Sequence, residues 1–133
     1  ALDIREKVLG KEHPDTAATY NNLAGVYQAQ GYTPRALEYY QKALDIYENV
    51  LSKDHPSTAT TYRNLAGVYD DQGDYPRALE YYLESYLIQF RCFGEAHPNS
   101  KTVKSNLKKA FLESEISDMS FDDWLNEKLD QRK

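Results

Sequence analysis

The sequence predicts an all-α protein, a solenoid of antiparallel helix pairs with a capping helix at its C-terminal end. Three observations predict it. The 133-residue chain repeats itself at a shift of about 42 residues, where the first block matches the second at about 29 of 42 positions. Within each block apolar residues recur at spacings of three and four, the period of an α-helix. Proline and glycine fall at fixed places between these runs, where helices begin and end. A period of this size implies units that lean only on their neighbours, so that the core is spread along a line. Such a protein presents a long surface and seldom assembles a catalytic pocket.

The elements follow in order. Ala1-Leu2-Asp3-Ile4 returns as Ala43-Leu44-Asp45-Ile46, so residues 1–14 read as the end of a preceding repeat's second helix plus a loop. Residues 15–56 form the first repeat, 57–98 the second, and 99–133 a degenerate third with the capping helix. From Ser57 to Gly73, the residues Tyr62, Leu65, Ala66 and Tyr69 mark one face of a helix. Ser57 is a helix-capping residue type, and Asp15 and Asn99 hold the same slot. Gly73 and Gly31 stop the first helices, and Pro76 and Pro34 open the second ones. Ala24, Ala66, Ala36 and Ala78 permit close helix approach while the tyrosines fill the gaps, so the 12 tyrosines read as core. Over 119–131, Ser120 with Asp123 starts a capping box, and Phe121, Trp124, Leu125 and Leu129 form one apolar edge.

Bulk composition bounds the function. The chain carries 21 Asp and Glu against 16 Lys and Arg, a net charge of −5, and has no basic run that would track phosphates. No nucleic-acid ligand is expected. No apolar stretch approaches the roughly 18 residues of a membrane helix, and no secretory leader is visible, which points to a cytoplasmic protein with no membrane partner. The single cysteine, Cys92, leaves no intrachain disulfide; it shares a register position with Val8 and Val50 and is expected to be a small buried apolar group.

The motif Tyr20-x-x-Leu23-Ala24-x-x-Tyr27, followed by Gly31, Ala36, Tyr40 and Ala43, resembles the tetratricopeptide repeat. Tyr62-x-x-Leu65-Ala66-x-x-Tyr69, Gly73, Ala78 and Tyr82 carry the pattern again, with Ser85 in place of the last alanine. The ordinary unit of that family is 34 residues. The longer unit here and the His-Pro loop, as in Leu9 to Thr16, resemble the kinesin light chain subgroup. The likeness covers residues 1–111. It weakens at Thr33, where the second block has Tyr75 and the first turn is expected to pack less well, and at Lys108, which replaces an alanine. The chain starts inside a repeat without an initiator methionine, which reads as a piece of a longer array. Leu2, Ile4, Val8 and Leu9 would expose apolar surface there, through which two copies are expected to pair.

No chemistry-bearing motif is found, so no enzyme and no cofactor are expected. His13, His55 and His97 recur once per block, but stacked repeats set equivalent atoms roughly 10 Å apart, too far for one metal ion. A His-Pro turn that orders each helix start is the reading kept. The resemblance implies a partner protein or peptide in a concave groove lined by the first helices. Carried over, the groove positions are Asn21, Asn22 and Gln28 in the first block, Arg63, Asn64 and Asp70 in the second, and Asn106 in the third. Asn22, Asn64 and Asn106 form a ladder of one amide per repeat, able to bracket a peptide backbone or to tie neighbouring helices together. Gly25 and Gly67 leave room for a ligand side chain, or serve close helix packing. Phe121 to Leu125 could occupy the groove, or Trp124 could be a buried aromatic of the closing helix. The rival function is a structural spacer or self-assembly segment.

Overall fold

The structure is a computed structural model that describes residues 13–51, 54–115 and 118–131. Its helices are α1 (Pro14–Ala29), α2 (Thr33–Val50), α3 (Pro56–Asp71), α4 (Tyr75–Phe93), α5 (Pro98–Ser114) and α6 (Phe121–Gln131), and no strand occurs among the described residues. The expected end of a preceding helix, and the apolar surface over which two copies would pair, lie outside the described residues.

Helix starts depart from expectation by two residues. The cap is the histidine: Nδ1 of His13, His55 and His97 accepts the backbone amides of Asp15, Ser57 and Asn99 at 3.0, 3.0 and 3.1 Å. The proline that follows each histidine already has the φ of a first helical residue and lacks an amide hydrogen. The helix therefore begins at the proline, and the side chain just before it must satisfy the free amides. At the other end, Gly31 and Gly73 take φ of 83° and 79°, and the next residues donate back to the carbonyls of Tyr27 and Tyr69 at 2.9 Å. That left-handed turn reverses the chain into α2 and α4.

Three apolar clusters succeed one another along the stack. The helix α3 shows how they connect: Leu65 and Val68 pack backward onto Ala36, Tyr40 and Leu44, while Ala66 packs forward onto Ala78 and Tyr82. The helix α3 thus has a backward and a forward apolar side, the geometry of a solenoid. Ala24, Ala36, Ala66 and Ala78 are fully buried. Around them tyrosines stack in threes. Tyr39 lies 5.6 Å from both Tyr20 and Tyr27, and Tyr81 lies 5.9 Å from Tyr62 and 5.6 Å from Tyr69.

The third unit closes differently. The Ser120 hydroxyl caps α6 by accepting the Asp123 amide at 3.2 Å. Phe121, Trp124 and Leu125 are buried, with Trp124 5.0 Å from Phe111. Trp124 is therefore a core aromatic of the closing helix, not a groove ligand. Two side chains stand further out than expected. Tyr32 is 58% exposed and touches Tyr27 only edge-on, while the hydrogen bonds of the first turn match those of the second. Cys92 is exposed rather than buried, its thiol donating to the Asp54 carbonyl, because the last turn of α4 runs beyond the apolar seam.

Candidate functional site

The residues assigned to the groove lie on α1, α3 and α5, and the structure divides them into two sets. One set joins neighbouring repeats. Asn21 donates to the Thr61 hydroxyl at 3.3 Å, and its own carbonyl oxygen is buried without a partner among the described residues. Gln28 accepts from the Tyr40 hydroxyl at 3.0 Å and donates to Asp71 at 3.5 Å, so it ties α1 to both α2 and α3. Asp70 faces Glu113 on α5, whose negative charge helps to raise its carboxyl.

The other set is the amide ladder. Asn22 is exposed, Asn64 and Asn106 are half-buried, and none makes a side-chain hydrogen bond among the described residues. The tying of helices, which one reading gave to this ladder, is done one position earlier by Asn21. The ladder's amides keep two donors and an acceptor each.

Glycines in this surface are not forced by crowding. A methyl group on Gly25 would come to 3.6 Å from the Tyr40 hydroxyl, and one on Gly67 to 3.9 Å from the Tyr82 hydroxyl, both ordinary contacts. Close packing does not demand glycine at either place.

Acid collects at the C-terminal edge of the site. Burial raises the Asp70 carboxyl above its ordinary range, the Glu113 and Asp71 charges add to it, and Lys109 opposes them. The same Glu113, by its charge and a hydrogen bond, raises the Tyr75 phenol. Tyr82 is pushed up to about 12 by burial and then by Asp70 and Asp71, with Arg63 pulling the other way. Glu113 was missed in the sequence, although it stands one place after Leu112, the 42-residue register equivalent of Asp70. Thr61 and Tyr40 had no signal, because their roles come from contacts across helices.

Among the described residues no group of three or more His, Cys, Asp or Glu could hold a metal ion. The three histidines turn Nδ1 to backbone amides instead. What the arrangement offers is a polar surface of amides, one guanidinium and a carboxylate edge, suited to hydrogen bonding.

Paired helices that share forward and backward seams, with one polar face along their first members, define an α-solenoid of the tetratricopeptide kind. The chain belongs to the tetratricopeptide repeat family: residues 1–49 and 19–89 match it. That family consists of protein–protein interaction modules, and its folds are non-enzymatic scaffolds. Protein KINESIN LIGHT CHAIN-RELATED 2 of Arabidopsis thaliana is 53% identical over 38 residues, which is 29% of this chain and 6% of that protein. Among solved structures, the nearly identical TPR-like repeats of a candidate kinesin light chain from Podosopora anserina superpose with a TM-score of 0.77 at 28% identity, covering 85% of this chain and 54% of that one. BtubC (BKLC) from P. vanneervenii gives 0.76 at 28% identity, over 85% of this chain and 45% of that one. The chain thus spans a small part of the curated relative and about half of the solved chains. Among the described residues no helix is long and apolar enough to cross a membrane.

Proposed function

We propose that the chain is a peptide-binding module that holds an extended segment of a partner protein along the first helices, with Asn22, Asn64 and Asn106 bracketing its backbone. The observation that carries this reading is the unengaged amide in every repeat. Equivalent positions recur roughly every 10 Å, and an extended chain advances about 3.3 Å per residue. Each asparagine would therefore meet about every third residue of the ligand, through donors and an acceptor that need no particular side chain. Asn21 and Gln28 hold the spacing between repeats; Arg63 and Asp70 set a polarity, with positive charge at the middle and negative charge beyond it. The ligand would avoid carboxylates opposite Asp70.

The test is selection from a displayed random-peptide library with the full chain, followed by titration of a selected peptide. Replacing Asn22, Arg63 and Asn64 together by alanine should lower affinity at least about tenfold while the circular dichroism of the fold is retained. An intact fold with unchanged peptide affinity would remove the groove from the account and leave stacking as the function.

A further inference from the structure

We infer that the groove takes a partner segment through one basic side chain, an arginine, which lies over Gly67 with its guanidinium among Asp70, Asp71 and Glu113 and against the Tyr82 hydroxyl. This deepens the groove reading and rests on it.

The first two repeats differ at one place. Gly25 and Gly67 each stand above the phenol of a second helix: an added methyl group would meet the Tyr40 hydroxyl at 3.6 Å and the Tyr82 hydroxyl at 3.9 Å. In the first repeat that phenol is satisfied, since Tyr40 donates to Gln28 at 3.0 Å. In the second, the 42-residue register puts Asp70 in the place of Gln28. Tyr82 is only 6% exposed, yet its hydroxyl makes no hydrogen bond among the described residues. A hydroxyl so placed is costly until a ligand or water meets it.

Its surroundings say which ligand. Burial first, and then the charges of Asp70, Asp71 and Glu113, raise the Tyr82 phenol against Arg63, so these carboxylates face it from α3 and α5. Little cancels them. Lys109 pairs with Glu113 at 3.8 Å, but Asp70 and Asp71 have no cation within ion-pair distance among the described residues. Asp71 accepts only from the uncharged Gln28 amide, at 3.5 Å. Gly67 and Asp71 are one turn apart on α3, so the opening and the acid lie on one helical stripe.

Shape decides between cations. Among the described residues no group of carboxylates lies close enough to hold a metal ion. A guanidinium is planar and carries a fork of N–H donors, so it spans separated carboxylates and still gives an N–H to the phenol oxygen. An ammonium, a compact point charge, meets fewer of these acceptors at once. In the third repeat Lys109 replaces the glycine, which leaves Gly67 as the opening beside the acids.

Peptides selected on the full chain from a displayed random library test this, with affinities measured by fluorescence anisotropy. Selected sequences should share an arginine at one position. Its replacement by glutamine should lower affinity at least about tenfold, and by lysine less. Asp70→Asn with Glu113→Gln should weaken the arginine peptide by a similar factor and leave the glutamine peptide unchanged. Tyr82→Phe removes only an unengaged hydroxyl and should act in the same direction if the carboxylate pair disturbs folding. Dependence on the arginine without dependence on Asn22 and Asn64 would keep this site and remove the bracketing asparagines. Peptides that need Asn22 and Asn64 but share no basic residue, or that bind the carboxylate variant as they bind the wild type, would overturn this inference and leave the groove reading standing. If no peptide is selected, both fall.

Discussion

The Ser85 hydroxyl donates a 2.7 Å hydrogen bond to the backbone carbonyl of Ala59, joining α4 to α3 in a fully buried contact. The same register place in α2 is Ala43, also fully buried, so the pocket accepts either residue and the hydroxyl is an addition specific to the second repeat. Ser85→Ala removes the donor but leaves the carbonyl within its helix ladder. It should cost about 1 kcal/mol, the net worth of one buried hydrogen bond. Urea unfolding with no loss of stability would show that the contact contributes nothing.

His55→Ala removes the cap of α3, whose first amides would then have only water. The expected loss is about 1 kcal/mol. An asparagine at the same place can accept the same amide, so His55→Asn should recover most of it. If both variants unfold at the wild-type urea midpoint, the imidazole is not acting as a cap.

Gly67 lies inside α3, where glycine disfavours helix by about 1 kcal/mol relative to alanine. Because the added methyl group meets the Tyr82 hydroxyl at 3.9 Å, Gly67→Ala should stabilise the chain by about that amount. Gly25→Ala should do the same in α1. A lowered melting temperature in either would mean that the space serves packing after all. Stabilisation together with weaker binding of a selected peptide would show that the groove uses that space.

Asp70 holds its proton more tightly in the folded state than in the unfolded chain, whose carboxyl has the ordinary value of 3.8. Stability should therefore fall as pH rises from that value through the raised folded one, since the unfolded chain releases the proton first. Asp70→Asn lacks the carboxylate and should be more stable than the wild type at pH 7. Near pH 3 both forms are neutral and the difference should vanish. Denaturant titrations of the two proteins at these pH values check it; a gain that is the same at both would assign the effect to something other than ionisation.

Much of this architecture was legible because a repeated sequence states its own alignment. Gly31 and Gly73 mark left-handed turns, Pro34 and Pro76 mark the opening turns of second helices, and Ala66 with Ala78 marks a close crossing; each of these requirements is local or recurs at a fixed interval. The caps were misplaced by two residues because serine and aspartate cap more often than histidine does, and only geometry shows which acceptor faces the free amides. Cys92 was misread because the last turn of α4 runs beyond the apolar seam; its register partner Val50, at the end of α2, is 40% exposed as well.

Sequence by itself determined the helix pairs and their boundaries to within a turn, because periodicity and backbone preference act within one element; the groove positions came from the family resemblance. Only tertiary structure decided which amides are engaged. Asn21 and Asn22 are adjacent and chemically identical, yet one bonds to Thr61 and the other makes no side-chain hydrogen bond among the described residues. Neighbours on a helix point about 100° apart, and only one of those directions meets the next repeat.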